Sequence, residues 1–214
     1  MTTMEWINEY QIIAIVRGLA PEPMQKLADA FYKGGLRLME ITFNQAKPET
    51  WQDTAASIRM LRERFQDRIL PGAGTVMTME QLKLAADAGA QYIISPNVDV
   101  GIIRETRKLG LVSLPGALTP TEIAQAYQAG ANAVKVFPAG NLGAGYIKAI
   151  RAPLSQIPLL AVGGVNEKNA AEFMAAGCSG IGVGGNLVNK QWIAAGEFDK
   201  ITALAKEYVQ ALAH

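Results

Sequence analysis

Short apolar runs rich in valine and isoleucine recur along the chain at intervals of about 20 to 35 residues. The stretches between them are rich in alanine and place their apolar residues at helical spacing. This alternation is typical of repeated strand-helix units built around a parallel sheet. The apolar runs predict eight strands, at residues 12–17, 36–42, 69–76, 91–96, 111–116, 133–138, 159–164 and 180–185.

The segments between the strands predict helices, and several of them end at a glycine. A glycine just past a helix supplies the left-handed residue that stops it. Residues 2–10 predict one extra short helix that covers the floor of the fold. Eight strand-helix units within 214 residues indicate an α/β fold, a (β/α)8 TIM barrel, with a doubly wound open sheet as the alternative. No linker interrupts the pattern, so we expect residues 1–214 to form a single domain. The predicted stops are Gly34, Gly89, Gly110, Gly130 and Gly177.

The composition narrows the classes of partner. Half of the residues are hydrophobic and 18% are charged, which excludes a disordered chain. Twenty Lys and Arg against 19 Asp and Glu leave a net charge of +1, too little to favour nucleic acid or an anionic membrane. The start of the chain lacks the pattern of a signal peptide, and no apolar run is long enough to span a bilayer. We therefore expect a cytoplasmic protein with no nucleic-acid or membrane partner.

The scarcity of cysteine and histidine limits the chemistry. Cys178 is the only cysteine, which excludes an internal disulfide and a cysteine-rich metal cluster, and we expect it to fill the core. The only histidine is the last residue, His214. Histidine is the usual ligand of catalytic zinc and the usual general base of serine and cysteine hydrolases. The chemistry is therefore expected to use carboxylates, lysine, arginine, hydroxyls, backbone amides or a hard cation held by oxygen ligands.

Polar side chains late in the strands mark the predicted site, because barrel enzymes act at the carboxyl ends of their strands. Side chains alternate between the two faces of a strand, so the inward positions can be counted. The count brings Arg17, Glu40 and Lys135 to one barrel mouth. The inward series are Ile13, Ile15 and Arg17; Leu38, Glu40 and Thr42; and Ala133, Lys135 and Phe137.

Lys135 lies in a predicted strand with apolar neighbours on both sides. Burial disfavours an ammonium and lowers the pKa of a lysine, and the neutral amine can attack a ketone to form a Schiff base. The cation of Arg17 acts in the same direction. The alternative is a lysine that extends to water or pairs with a carboxylate.

Glu40 also has apolar neighbours, and burial should raise its pKa toward the range useful for proton transfer. The alternative is a structural ion pair with Arg17 or Lys135. Thr75 offers a hydroxyl and backbone amides after the third strand, or is simply a residue that favours strands. Phe137 could shield an imine from water, or could be plain core.

Two glycine pairs, Gly163–Gly164 and Gly184–Gly185, end the last two predicted strands. Each precedes a predicted helix start, near Asn166 and Asn186. Barrels often bind phosphate at this place, on exposed backbone amides and a helix N-terminus. The alternative is that tight turns require glycine there.

The order and spacing of several short motifs carry a resemblance that spans nearly the whole chain. The sequence resembles the 2-keto-3-deoxy-6-phosphogluconate (KDPG) and 4-hydroxy-2-oxoglutarate (KHG) aldolases, which are class I, pyruvate-forming enzymes. The resemblance implies that Lys135 is the Schiff-base lysine, that Glu40 is the general acid/base and that Thr75 and Pro96 form part of the pyruvyl pocket. It also implies a homotrimer with no metal or cofactor. The motifs are IAIVRG (13–18), EIT (40–42), GAGTV (72–76), ISPN (94–97), LPG (114–116), VKVFPA (134–139) and AVGGV (161–165).

Two positions depart from the family pattern. Members that act on the gluconate-derived substrate carry arginine four residues after the glutamate, where this chain has Asn44. IAIVRG, Asn44 and Val162 instead resemble the branch acting on 2-keto-3-deoxy-6-phosphogalactonate, which makes Arg17 the expected partner of the substrate carboxylate. The family has serine after the last glycine pair as a phosphate ligand. Asn186 stands there and can donate a hydrogen bond in its place.

These observations predict a class I aldolase that cleaves a 2-keto-3-deoxy sugar acid, 6-phosphorylated in the preferred form, to pyruvate and an aldehyde such as glyceraldehyde 3-phosphate. A 4-hydroxy-2-oxoglutarate aldolase is the first alternative. A metal-dependent aldolase or phosphosugar isomerase that uses Glu40 as its base is the second. The third is a noncatalytic barrel that binds a sugar phosphate.

Overall fold

The structure, a computed structural model, describes residues 1–212, and the terminal histidine lies outside this range. Nine short strands form one parallel sheet in the order β5-β4-β3-β2-β1-β9-β8-β7-β6. The strands are β1 (Ile12–Arg17), β2 (Leu38–Thr42), β3 (Leu70–Gly74), β4 (Tyr92–Ile94), β5 (Val112–Leu114), β6 (Gly116–Ala117), β7 (Val134–Val136), β8 (Leu159–Val162) and β9 (Gly180–Val183).

The sheet closes at Pro115, which divides the predicted fifth strand into β5 and β6. Proline has no N–H to donate to a neighbouring strand. β5 pairs with β4, whereas β6 pairs with β7. The backbone amides of Asn132 and Lys135 donate to the carbonyls of Ser113 and Pro115, each at 2.9 Å, and join β5 to the β7 side. The eight predicted strand positions and the (β/α)8 barrel are therefore confirmed, and the open sheet is wrong.

Most of the strands are shorter than the apolar runs that predicted them. Thr75 follows β3, Pro96 follows β4, and the glycine pairs at 163–164 and 184–185 follow β8 and β9. These residues therefore lie in loops at the carboxyl ends of the strands.

Ten helices accompany the strands within residues 1–212. Thr78 and Thr119 cap the helices that follow them through capping boxes, which fixes where these helices begin. The helices are α1 (Thr3–Tyr10), α2 (Pro21–Lys33), α3 (Trp51–Phe65), α4 (Met79–Asp87), α5 (Val100–Lys108), α6 (Pro120–Gln128), α7 (Ala139–Arg151), α8 (Ala170–Ala175), α9 (Lys190–Ala194) and α10 (Phe198–Leu212), and a 3-10 turn at Pro48–Thr50 precedes α3. None of these helices combines the length and apolar character needed to cross a membrane.

The predicted extra helix is confirmed as α1. Its buried residue Ile7 packs against the side chains that fill the barrel interior, and Trp6 and Tyr10 lie beside it. The helix leads directly into the amino end of β1, so it covers the end of the barrel opposite the predicted site.

Four of the five predicted glycine stops are left-handed, with φ of +89° at Gly89, +75° at Gly110, +109° at Gly130 and +99° at Gly177. The prediction is wrong at Gly34, where φ is −79°. The left-handed residue is the next one, Gly35, with φ of +95°.

The predicted helix starts near Asn166 and Asn186 are also wrong, because regular helix begins at Ala170 and Lys190. Each asparagine lies instead in the loop or turn before the helix. The side chain of Asn166 accepts hydrogen bonds from the backbone amides of Lys168 and Asn169, at 2.9 and 3.2 Å. Such bonds favour a turn over helix at this point.

The alternation of side chains divides the apolar residues into two clusters. The inner cluster fills the barrel and includes Ile13, Ile15 and Leu38. The outer cluster lies between strands and helices and includes Ile12, Ala14 and other outward residues of the same strands. The predicted inward phase of these strands is therefore confirmed.

Candidate active site

Lys135 and Glu40 are buried inside the barrel, with 3% and 1% of their surfaces exposed. Their strands, β7 and β2, occupy opposite positions around the closed sheet. β7 places Lys135 level with Gly116 and Leu160, and β2 places Glu40 level with Ile15 and Gly72. The two ionisable groups thus share the interior of one narrow barrel.

The ammonium of Lys135 has little contact with water. Its Nζ lies 4.9 Å from the centre of the Phe137 ring. Burial lowers the pKa of Lys135, the nearby Arg17 lowers it further, and the charge of Glu40 opposes both effects. The alternative of a lysine extended into solvent does not fit its 3% exposure.

Glu40 is a buried carboxyl without a hydrogen-bond partner among the described residues. Neither Oε1 nor Oε2 is within bonding distance of a protein donor. Burial raises the pKa of Glu40, and the cations of Lys135 and Arg17 reduce that rise. Buried polar groups nearly always have partners, so an unpartnered carboxyl is a candidate for a group that acts on a ligand.

The alternative of a structural ion pair does not fit either. Four ion pairs within 4.0 Å occur among residues 1–212, and none includes Glu40, Lys135 or Arg17. The site therefore holds its charges apart while they still interact through the barrel interior.

Two inward glycines of β3 make room for the site, which the sequence analysis missed. A Cβ built on Gly74 would lie 1.8 Å from Oε1 of Glu40, so the carboxyl occupies the space that this glycine leaves open. A Cβ on Gly72 would lie 2.1 Å from the ring of Tyr92, which fills the barrel beneath. The alternation of Gly72 and Gly74 in a predicted strand was the available signal.

Thr75 follows Gly74 directly and has a φ of +56°. A β-branched residue rarely adopts positive φ, and such strain gathers at functional sites. Its carbonyl accepts a hydrogen bond of 2.7 Å from Nε2 of Gln45, which holds the loop after β3 against the loop after β2.

One cavity, of about 250 Å³, opens at the ends of β1, β8 and β9. We call it the glycine cavity. It brings both predicted glycine pairs together with Arg17 and Phe137. Asn166, predicted only as a helix start, also lines it. Its lining includes Arg17, Phe137, Gly163, Gly164, Asn166, Gly184, Gly185 and Asn186.

The backbone geometry requires glycine at one of the two pairs and not at the other. Gly163 and Gly164 have φ of +86° and +75°, and Gly164 packs closely on Gly140, so turn geometry explains this pair. Gly184 and Gly185 have no positive φ, and a Cβ on either would meet nothing closer than 3.8 Å. The alternative that a tight turn requires glycine therefore fails at Gly184–Gly185.

A second cavity, of about 340 Å³, lies at the ends of β1, β2 and β3. We call it the Thr75 cavity. It contains the predicted residues Arg17, Asn44 and Thr75, and also Lys190, which the sequence analysis missed because no strand pattern marks the start of α9. Arg17 lines both cavities and connects them.

The remaining predictions concern Pro96 and Cys178. Pro96 is half-buried and packs over Gly116, level with Lys135, but lines neither cavity. Cys178 is buried in the outer cluster, and burial raises the pKa of its thiol to about 12, which suits core packing. No three His, Cys, Asp or Glu side chains of residues 1–212 come together as a metal site.

Comparisons with known proteins show which family the chain belongs to. The model of the family "KDPG and KHG aldolase" matches residues 4–204. The 2-dehydro-3-deoxy-6-phosphogalactonate aldolase of Escherichia coli is 35% identical over 98% of this chain and 100% of its own. The 2-dehydro-3-deoxy-phosphogluconate aldolase of Treponema pallidum is 34% identical over 98% and 97%.

A solved structure extends the likeness to the fold. The KDPG aldolase of Legionella pneumophila, with pyruvate captured as a covalent carbinolamine intermediate, has a TM-score of 0.84 and 27% identity over 94% of this chain and 95% of that one. The resemblance read from the motifs is confirmed. The chain, whose closed barrel buries a lysine and a glutamate, belongs to the KDPG and KHG aldolase family.

Proposed function

We propose that this protein is a class I aldolase that cleaves a 2-keto-3-deoxy sugar acid to pyruvate and an aldehyde. The observation that carries the proposal is a buried lysine and an unpartnered buried carboxyl inside one barrel. Phe137, whose ring centre lies 4.9 Å from Nζ of Lys135, lines the glycine cavity. The captured pyruvate intermediate of the Legionella pneumophila relative supports it. The lysine itself supplies the electron sink, so the proposed reaction needs no cofactor or metal ion.

In the proposed reaction the neutral amine of Lys135 attacks the C2 ketone, and loss of water gives a protonated imine. Glu40, directly or through one water, removes the proton of the C4 hydroxyl. The bond between C3 and C4 then breaks, its electrons move into the imine, and the aldehyde leaves. The resulting enamine takes a proton at C3, and hydrolysis returns pyruvate and the free lysine.

The two cavities suit the two ends of such a substrate. Arg17 and Thr75 would hold the carboxylate, with Asn44 nearby. Pro96 would form part of the pyruvyl pocket, and Phe137 would shield the imine. The glycine cavity would hold a distal phosphate on the backbone amides of its glycine pairs, with Asn186 as a further donor. The absence of a turn requirement at Gly184–Gly185 supports a ligand role for that pair.

Trapping with pyruvate tests the Schiff base directly. Incubation of the protein with pyruvate and borohydride should reduce the imine and leave one stable pyruvyl adduct per chain, on Lys135. Peptide mass spectrometry locates the adduct, and borohydride without pyruvate is the control. An unmodified mass, or an adduct confined to an exposed lysine, contradicts the proposal.

Gly185→Ala tests the phosphate end. Its Cβ meets nothing within 4 Å, so the variant should fold, while the added methyl group narrows the glycine cavity. We expect the KM of the phosphorylated sugar acid to rise about tenfold, equivalent to about 1.4 kcal/mol, with the unphosphorylated form unaffected. A lactate-dehydrogenase-coupled assay of both C4 epimers, with and without phosphate, measures this. Equal effects on both forms contradict a phosphate site.

We further propose a homotrimer, which the family resemblance implies. The uninterrupted strand-helix pattern and the balanced charge support a one-domain cytoplasmic enzyme with small-molecule substrates and no nucleic-acid or membrane partner. Light scattering coupled to size-exclusion chromatography tests the assembly, since a trimer has three times the chain mass of 22.9 kDa. A monomeric or dimeric mass contradicts it.

A further inference from the structure

Lys190 brings a second cation to the Thr75 cavity. It is the first residue of α9, its side chain is exposed, and it lines the cavity together with Arg17. No aspartate or glutamate is part of the described lining of this cavity. Two cations that share a cavity without an acid repel each other, and a bound anion relieves that repulsion.

The neutral side chains of the cavity show which donors remain for a ligand. Gln45 has one N–H left, because its Nε2 donates one hydrogen bond to the Thr75 carbonyl at 2.7 Å and its Oε1 accepts from Gln81 at 3.0 Å. Asn44 accepts a 3.0 Å bond from the amide of Ala46 through Oδ1, which leaves its NH2 group for a ligand. The side chains of the cavity therefore offer an anion two cations, the NH2 group of Asn44 and the Thr75 hydroxyl as donors.

The position of the cavity indicates which anion it receives. It lies at the ends of β2 and β3, where Thr42, two residues after Glu40 on β2 and level with Gly74, forms part of its lining. The glycine cavity lies on the other side of Arg17. A phosphorylated 2-keto-3-deoxy sugar acid has one carboxylate next to the reacting carbon and one phosphate at its distal end, so each cavity can take one of them.

We propose that Lys190 binds the carboxylate next to the keto group of the substrate, together with Arg17 and Thr75. This inference rests on the proposed function, because it names the part of that substrate that Lys190 contacts. It makes Lys190 a substrate-binding residue contributed by α9 rather than by a barrel strand. The helix holds it in place through Asn189, whose Oδ1 accepts from the amides of Gln191 and Trp192 at 3.0 and 3.1 Å.

Pyruvate tests this assignment, because it carries only the carboxylate end of the substrate. In borohydride trapping, Lys190→Gln should raise the pyruvate concentration for half-maximal adduct formation about tenfold, the loss expected for one charge-assisted hydrogen bond. Lys190→Arg should restore it to near the wild-type value. Lys206→Gln, an exposed lysine on α10, is the matched control and should change nothing.

Inhibition by inorganic phosphate distinguishes the carboxylate end of the substrate from its phosphate end. The inhibition constant of phosphate should be unchanged in Lys190→Gln, because phosphate would bind in the glycine cavity. An unchanged pyruvate requirement overturns the inference, whether or not the KM of the phosphorylated sugar acid rises. In that result the wild-type adduct on Lys135 still supports the aldolase. Absence of the wild-type adduct instead overturns the proposed function, and this inference with it.

Discussion

Lys135→Met is expected to lower the rate of aldol cleavage by at least about 10⁴-fold, because no other group can form the imine that accepts the electrons of the C3–C4 bond. Methionine keeps much of the side-chain volume, so the barrel should stay filled. The coupled assay measures turnover, and circular dichroism checks the fold. Lys148→Met, an exposed position on α7, is the control and should keep full activity. Cleavage by Lys135→Met within tenfold of the wild type contradicts the Schiff-base role.

The same variant should change how stability depends on pH. Burial lowers the pKa of Lys135 in the folded protein below the ordinary value of 10.5. Between these two values the unfolded chain binds more protons, so the free energy of unfolding contributed by this group rises with pH. The free energy of unfolding of Lys135→Met should not include that rise. Denaturant titrations from neutral pH to about pH 10 should show a smaller slope against pH for the variant.

The sequence could predict the barrel because alternation and repetition leave few folds that bury every apolar face. The inward positions of Arg17, Glu40 and Lys135 followed from counting along the strands. The structure buries Glu40 and Lys135 inside the barrel, whereas Arg17 is exposed at the end of β1 and lines both cavities. Counting could not show that Pro115 divides one strand, since the apolar run continues through it.

Contacts that depend on three dimensions were beyond the sequence. The carboxyl of Glu40 on β2 fills the space left by Gly74 on β3. Lys190, at the start of α9, lines the Thr75 cavity. The helix starts were misplaced because an asparagine that caps a turn and one that caps a helix look alike. The two glycine pairs were likewise indistinguishable until their φ values and neighbours were known.

Glu40→Gln is expected to lower cleavage by about 10² to 10⁴-fold, the usual contribution of a positioned general base. The amide keeps the shape of the carboxyl over Gly74, so Lys135 should keep its position and pyruvate trapping should still yield an adduct. Slow cleavage with a retained adduct would separate proton transfer from imine formation. Glu207→Gln, an exposed position on α10, is the control.

The pH dependence gives this variant a second signature. Burial raises the pKa of Glu40, and the base works only when ionised, so wild-type kcat/KM should fall as pH drops through that raised pKa. The kcat/KM of Glu40→Gln should not show this fall.

The stability of the protein should depend on pH in the opposite direction. The folded protein holds the proton of Glu40 to higher pH than the unfolded chain does. The contribution of Glu40 to the free energy of unfolding is therefore complete below pH 4.5 and is lost as pH rises through the raised pKa. Above it, Glu40→Gln should therefore unfold at a higher temperature than the wild type, and an equal or lower unfolding temperature contradicts a destabilising buried charge.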